Sequence, residues 1–306
     1  MKYLLKLVGD NIKLAQAEII NKYSLKSYEY KDNLIWFEKR KKLDFKLGMT
    51  HSVFQLYFTC NSKDLSDKIK KIDFKIKKDY WLNIKEIDRK TIEKETYKNL
   101  KLKINSKSKN QIYFFKRGNK IFCTKKIEDI DKSYLKNKGI LLPGFSPVVM
   151  KPRLARTIIN LLGENIDEIL DPMCGVGGVL IEAGLLGHYV KGYDINPDVV
   201  LKCKKNLKHF KIKGNISLID FFSVKERFNK IIVDLPYGHA SMMSKDVYNR
   251  FIAQLGQVLK KKAVVVCKSE IKLPFKKNNL KLISKYNIYI HKNLTRRVYL
   301  VEKIKN

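Results

Sequence analysis

Asp171-Pro172-Met173-Cys174-Gly175-Val176-Gly177-Gly178 is the stretch on which the reading of this chain turns. The spacing predicts a strand over 168–171 before it and a helix over 177–186 after it. Glycines in a strand-to-helix turn remove side chains, so the backbone N–H groups at the helix N-terminus can approach a ligand closely. A glycine turn that binds nothing would have the same composition, so the neighbouring strands have to decide.

The sequence 190–194, Val-Lys-Gly-Tyr-Asp, closes the next predicted strand (189–194) with Asp194, and Asp220 closes a third (215–220). Helices are expected at 153–162, 197–209 and 246–260, and strands at 230–234 and 263–267. Alternation of this kind predicts a parallel sheet flanked by helices. The runs 282–290 and 297–302 are joined too tightly for a parallel crossover and are expected to form an antiparallel hairpin. The expected fold is α/β: a Rossmann-like, seven-stranded, mainly parallel, doubly wound sheet with one antiparallel edge strand.

Acids at the carboxyl ends of three consecutive strands line the crevice where open α/β sheets bind ligands. Asp194 is placed to accept from the two hydroxyls of an adenosine ribose, and Asp220 to reach the adenine amine. A dinucleotide loop would read Gly-x-Gly-x-x-Gly, whereas here Gly175 and Gly177 are followed directly by Gly178. S-adenosylmethionine fits better. The candidate cofactor set is Asp171, Pro172, Cys174, Gly175, Gly177, Gly178, Asp194, Ile195, Asp220 and Phe221.

Residues 231–238, Ile-Ile-Val-Asp-Leu-Pro-Tyr-Gly, end the fourth strand of this domain, where a catalytic loop would meet a bound methyl donor. Asp234-Leu235-Pro236-Tyr237 resembles the Asp/Asn-Pro-Pro-Tyr/Phe signature of methyltransferases that act on exocyclic amines of bases. Such an amine is a poor nucleophile because its lone pair is delocalised into the ring. Asp234 and the Leu235 carbonyl would accept its two hydrogens and favour a pyramidal nitrogen, while Tyr237 would stack on the extruded base. Leu235 stands where the signature usually has its first proline, keeping the carbonyl and losing the fixed φ.

The first half reads as small mixed α+β units. Strands are expected at 3–8, 34–38, 52–59 and 81–87, helices at 11–21, 64–72 and 92–100, and a hairpin over 111–124 around Arg117-Gly118-Asn119. A glycine- and proline-rich stretch marks the boundary, giving residues 1–140, a linker at 141–151, and 152–306. Of the 306 residues, 64 are Lys or Arg and 30 Asp or Glu, a formal charge of +34. Both halves share it: residues 1–145 hold 35 basic against 17 acidic residues, and 146–306 hold 29 against 13. A polyanionic partner is the physical expectation, since phosphate neutralisation releases counterions. The five cysteines include no Cys-x-x-Cys pair, so neither disulfides nor a metal site is expected. With no long apolar run and no secretory leader, the expectation is a cytoplasmic protein that does not engage a membrane.

At family level, the chain resembles the THUMP-containing tRNA guanine-N2 methyltransferases, closest to the archaeal enzymes that modify guanine 10. The resemblance is carried by 152–156 (Pro-Arg-Leu-Ala-Arg), the glycine loop through Gly184, 192–194 (Gly-Tyr-Asp), 234–238, and 294–297 (Leu-Thr-Arg-Arg). It implies S-adenosylmethionine as cofactor, tRNA as partner, and a ferredoxin-like segment followed by a THUMP domain that grips the tRNA acceptor end. It admits a small activating partner protein, and a monomer in its absence. The same loop chemistry would also serve guanine 6 of tRNA, a ribosomal guanine or an adenine amine in DNA. A non-catalytic RNA-binding protein that retains the fold is the alternative of another class.

Overall fold

The computed structural model describes residues 1–9, 11–136, 142–144, 149–164, 167–235, 245–267, 274–292 and 294–304. They form two compact units. One comprises Met1–Ile12, Leu25–Phe45 and Thr50–Ile130, and the other Lys13–Ser24, Lys46–Met49 and Asp131–Asn306. The partition is not a single cut in the 141–151 linker, because most of the first helix, α1 (Ile12–Lys22), belongs to the second unit.

The first unit is an eight-stranded sheet, β1 (Lys2–Leu7), β2 (Glu29–Lys31), β3 (Leu34–Glu38), β4 (Thr50–Cys60), β5 (Asp79–Lys85), β6 (Lys103–Ile104), β7 (Gln111–Arg117) and β8 (Lys120–Asp129), in the order β2-β3-β1-β4-β8-β7-β5-β6. Two helices, α2 (Leu65–Lys71) and α3 (Arg89–Leu100), contribute Leu65, Ile69 and Ile92 to a core shared with Tyr80, Leu82, Ile112 and Phe114. Strand alternation sends Tyr113 and Phe115 of β7 to a second cluster with Trp36, Phe54 and Phe122. Asp88 caps α3 by accepting from the amides of Lys90 and Thr91. The sequence reading lacks β2 and β6. All five of their residues are exposed and carry no apolar alternation, so their pairing rests on the backbone alone.

The second unit holds a seven-stranded sheet of β9 (Glu168–Asp171), β10 (Tyr189–Asp194), β11 (Gly214–Leu218), β12 (Phe228–Asp234), β13 (Leu259–Cys267), β14 (Leu280–His291) and β15 (Leu294–Lys303). Its order is β11-β10-β9-β12-β13-β15-β14. The first five strands in that order run parallel, with α4 (Pro152–Asn160) before β9 in the chain and α5 (Gly178–Leu185), α6 (Pro197–His209) and α7 (Lys245–Val258) between successive strands. The expected Rossmann-like sheet is therefore present, with one correction. The antiparallel strand is not the edge. β15 pairs antiparallel with both β13 and β14, and β14 takes the outside position. Its composition explains the insertion, since Val298, Tyr299, Leu300 and Val301 are all buried, as a strand covered on both faces requires. β14 instead carries exposed Lys281 and Lys285, which suit an edge.

Within this unit, Glu18 of α1 is fully buried and accepts from the amides of Gly48 (2.6 Å) and Met49 (2.8 Å) and from the Asn160 side chain (2.7 Å). Three donors compensate a carboxylate whose burial pushes its pKa up. No helix among the described residues is long and apolar enough to cross a membrane.

A candidate cofactor cleft at the carboxyl ends of β9, β10 and β12

The strand order reverses between β9 and β12, because the chain moves outward from β9 to β10 and β11 and then returns to β12 and β13 on the other side. Such a switch point opens a crevice at the carboxyl ends of the strands. A cavity of about 150 Å³ lies there, lined by Asp171, Met173, Cys174, Gly175, Gly178 and Asp234 together with Val149 and Met150.

The loop between β9 and α5 is shaped by its glycines. Gly177 has φ +87°, and a Cβ there would come within 2.7 Å of the Cys203 sulfur. Gly175 has φ +53° with open space beside it, so its backbone is accessible from the cavity. Asp194, at the end of β10, accepts from the Gly175 amide (3.0 Å) through one oxygen and from the Asn196 amide (3.0 Å) through the other. Asn196 then caps α6 by accepting from Asp198 and Val199. The acid that closes the second strand of the domain thereby holds the glycine loop of the first. Each of its oxygens keeps a lone pair for a further donor.

The other residues singled out from the sequence divide into groups. Asp171 is buried, accepts from the Met173 amide (3.2 Å), and has its pKa pushed up to about 8 by burial and by the charges of Asp234 and Asp194. Pro172 is buried beside it. Cys174 is a buried free thiol, held well above its usual pKa by its hydrogen bond with Cys203 and by burial. Ile195 is 73% exposed, an apolar surface next to Asp194. Asp220 is exposed and accepts from the Phe222 amide (2.9 Å). Phe221, by contrast, is 1% exposed and packs on Phe251 with ring centroids 5.2 Å apart, so it is a core residue and its side chain does not face the crevice. Pro236 and Tyr237 lie outside the described residues.

Asp234 closes β12. Its Oδ2 lies 3.4 Å from Nη2 of Arg296, whose side chain is 6% exposed. Leu235 is fully buried among residues such as Phe251 and Leu255, and its amide donates to the Val266 carbonyl at 2.8 Å. A proline could not make that bond, so leucine here replaces a fixed φ with a hydrogen bond to β13.

Sequence reasoning missed the residues that hold this cleft together. Arg156 of α4 binds Glu182 of α5 through Nη2 (3.0 Å) and Nε (3.1 Å), and its guanidinium lies over the Tyr134 ring at 3.4 Å. Asn206 of α6 donates to the Val176 carbonyl (2.8 Å) of the glycine loop and accepts from the Gly144 amide (2.7 Å). Gln254 of α7 donates to the carbonyls of Phe221 and Val224, fixing the turn that carries Asp220. Two of these residues, Arg156 and Glu182, fall inside the quoted family segments, as does Arg296 beside Asp234. The signal was present, but spacing alone does not reveal who pairs with whom. Among the described residues, no group of three His, Cys, Asp or Glu side chains is arranged to hold a metal.

Residues 143–295, half of the chain, match the family described as UPF0020, RMKL-like, methyltransferase domain. The chain belongs to this methyltransferase family. A tRNA (guanine(10)-N2)-dimethyltransferase of Methanocaldococcus jannaschii is 33% identical over 238 residues, 72% of this chain and 67% of that relative. One of the same name from Methanothermobacter thermautotrophicus is 26% identical across 86% of this chain and 85% of its own length. Among solved structures, TrmN from Thermus thermophilus superposes with a TM-score of 0.51 at 13% identity, covering 99% of this chain and all of that one, which supports the fold alone. In this methyltransferase the cleft just described falls inside the matched domain.

Proposed function

We propose that this methyltransferase transfers a methyl group from S-adenosylmethionine to the exocyclic N2 amine of a guanine in tRNA, at position 10, once or twice. The observation that carries the reading is Asp234, ending β12 at the wall of the cavity that the glycine loop also lines. The residues present suit the cofactor. Gly175 leaves open space beside its backbone, and Asp194 is oriented by two amides with accepting capacity to spare for a diol. When bound, the cofactor supplies an electrophilic methyl on a sulfonium.

The protein's contribution is positioning. Asp234 and the Leu235 carbonyl accept the two amine hydrogens, concentrating the nitrogen lone pair toward the methyl. Pro236 and Tyr237 follow in the sequence motif, which gives Tyr237 the role of stacking on the base. The surplus proton leaves to Asp234 or water. The first unit is read as the ferredoxin-like and THUMP region that holds the tRNA, in keeping with the excess of 35 basic over 17 acidic residues in 1–145. The names of the relatives support guanine 10 as the target.

Transfer of labelled methyl to unmodified tRNA, followed by nucleoside analysis and mapping, tests this. N2-methylguanosine or its dimethyl form at position 10 is expected, and Asp234→Ala should abolish transfer while leaving tRNA affinity nearly unchanged. Product at position 6 would keep the chemistry and overturn the position. Bound tRNA that never gains label would point to a fold that has lost its chemistry.

A further inference from the structure

We propose that Arg296 is a positioning residue for Asp234: from β15, two strands away, its guanidinium keeps the Asp234 carboxylate ionised and fixes the oxygen that meets the substrate amine. This rests on the reading of Asp234 as the amine acceptor.

The sheet register makes the reach specific. Asp234 of β12 is paired with Val266 of β13, and Val266 with Val298 of β15. Arg296 lies two residues before Val298, on the same face of the strand. β15 is two strand spacings from β12, about 10 Å, a gap that only a long side chain crosses. The crossing ends with Nη2 3.4 Å from Oδ2 of Asp234, with the arginine side chain 6% and the aspartate 18% exposed. A guanidinium taken this far from water needs a purpose that justifies its desolvation.

The surroundings supply one. Asp171 from β9 and Asp234 line the same cavity, and Asp194 from β10 accepts from the Gly175 amide in the same loop. Charges on Asp234 and Asp194 both act to hold a proton on Asp171. By reciprocity, an ionised Asp171 would disfavour charge on Asp234 in turn. Protonation there would turn one accepting oxygen into a donor and undo the clamp on the amine. A permanently charged, planar cation opposes this, and its Nη2 contact with Oδ2 biases which oxygen is left for the amine.

The experiment uses the full chain with Arg296→Met and Arg296→Lys. Carboxyl ¹³C signals of labelled aspartate, with Asp234→Asn assigning the resonance, give the Asp234 titration without any need for activity. Steady-state kinetics on tRNA across pH give kcat and KM. Arg296→Met is expected to raise the Asp234 titration by about one pH unit or more. It should lower kcat by about 100-fold with both KM values within about threefold, and move the acidic limb of kcat upward. Arg296→Lys should keep the titration near that of the parent and recover part of kcat. An unmoved titration in folded Arg296→Met, or an unchanged kcat and acidic limb, overturns the proposal. If Arg296→Met does not fold, Arg296→Lys decides. A lowered kcat at the parental melting temperature supports the role, and parental kinetics overturn it. If the parent methylates no tRNA, the substrate reading fails while the titration still settles the role of Arg296.

Discussion

Asp171 shows how far a single residue can be read from sequence. Its place before the glycine loop was plain, but its protonation was not, because burial and the approach of Asp194 and Asp234 depend on strands distant in the chain. Unfolded, its carboxyl titrates near 3.8, and folded near 8. Between those values the folded protein holds a proton that the unfolded chain has lost, so this group's contribution to stability falls as pH rises from about 4 to about 8. Asp171→Asn keeps the size and the acceptor for the Met173 amide while removing the titration. Its stability relative to the parent should therefore improve steadily across that window, as measured by urea unfolding at pH 5 and pH 8. A difference that stays constant with pH would show that Asp171 is not the responsible group. Leu235 makes the complementary point. In the sequence it is a departure from a signature, and only the β12–β13 pairing reveals that its amide is needed by Val266.

At the scale of elements, alternation of apolar runs predicted all seven strands of the second unit, and the helices before and after the glycine loop, to within a few residues. What it did not give was the order in which they pair. The insertion of β15 between β13 and β14 had a cue in the unbroken run Val298 to Val301, but hairpin logic alone puts either strand outside. Helix docking was equally hidden, and the Arg156–Glu182 pair is the clearest case. Both side chains are almost entirely buried, and they join α4 to α5, the helix that the glycine loop opens. Removing one partner of such a pair leaves an uncompensated charge, whereas replacing both with apolar residues of similar size removes the desolvation cost as well. Arg156→Met alone should lose about 3–5 kcal/mol of stability, and the double variant Arg156→Met/Glu182→Leu should regain most of it. Equal losses in the single and double variants would mean that packing on Tyr134, and not the ion pair, is the main contribution.

For the whole molecule, the charge of +34 is the property most legible from sequence and the one the fold explains least. The 64 basic residues outnumber the acids by more than two to one. Lys191 bridges Glu168 and Glu226, Lys262 meets Glu302, and Arg89 pairs with Glu93, but 30 acids cannot neutralise the rest. A surface that repels itself to this degree favours solubility but lowers the stability of the folded chain, a cost that a bound polyanion relieves. On the proposed function that polyanion is tRNA, and the binding should then be dominated by counterion release. Five neutralised phosphates would give a slope of log affinity against log salt of about −4, so raising salt from 50 to 200 mM would weaken binding by more than about 100-fold. Asp234→Ala should reproduce the parental slope, since it removes no phosphate contact and changes only the clamp on the amine. A slope near zero in both proteins would separate the charge from substrate binding. The lysines would then be solvated decoration, and recognition would have to rest on uncharged contacts in the first unit or around the cleft.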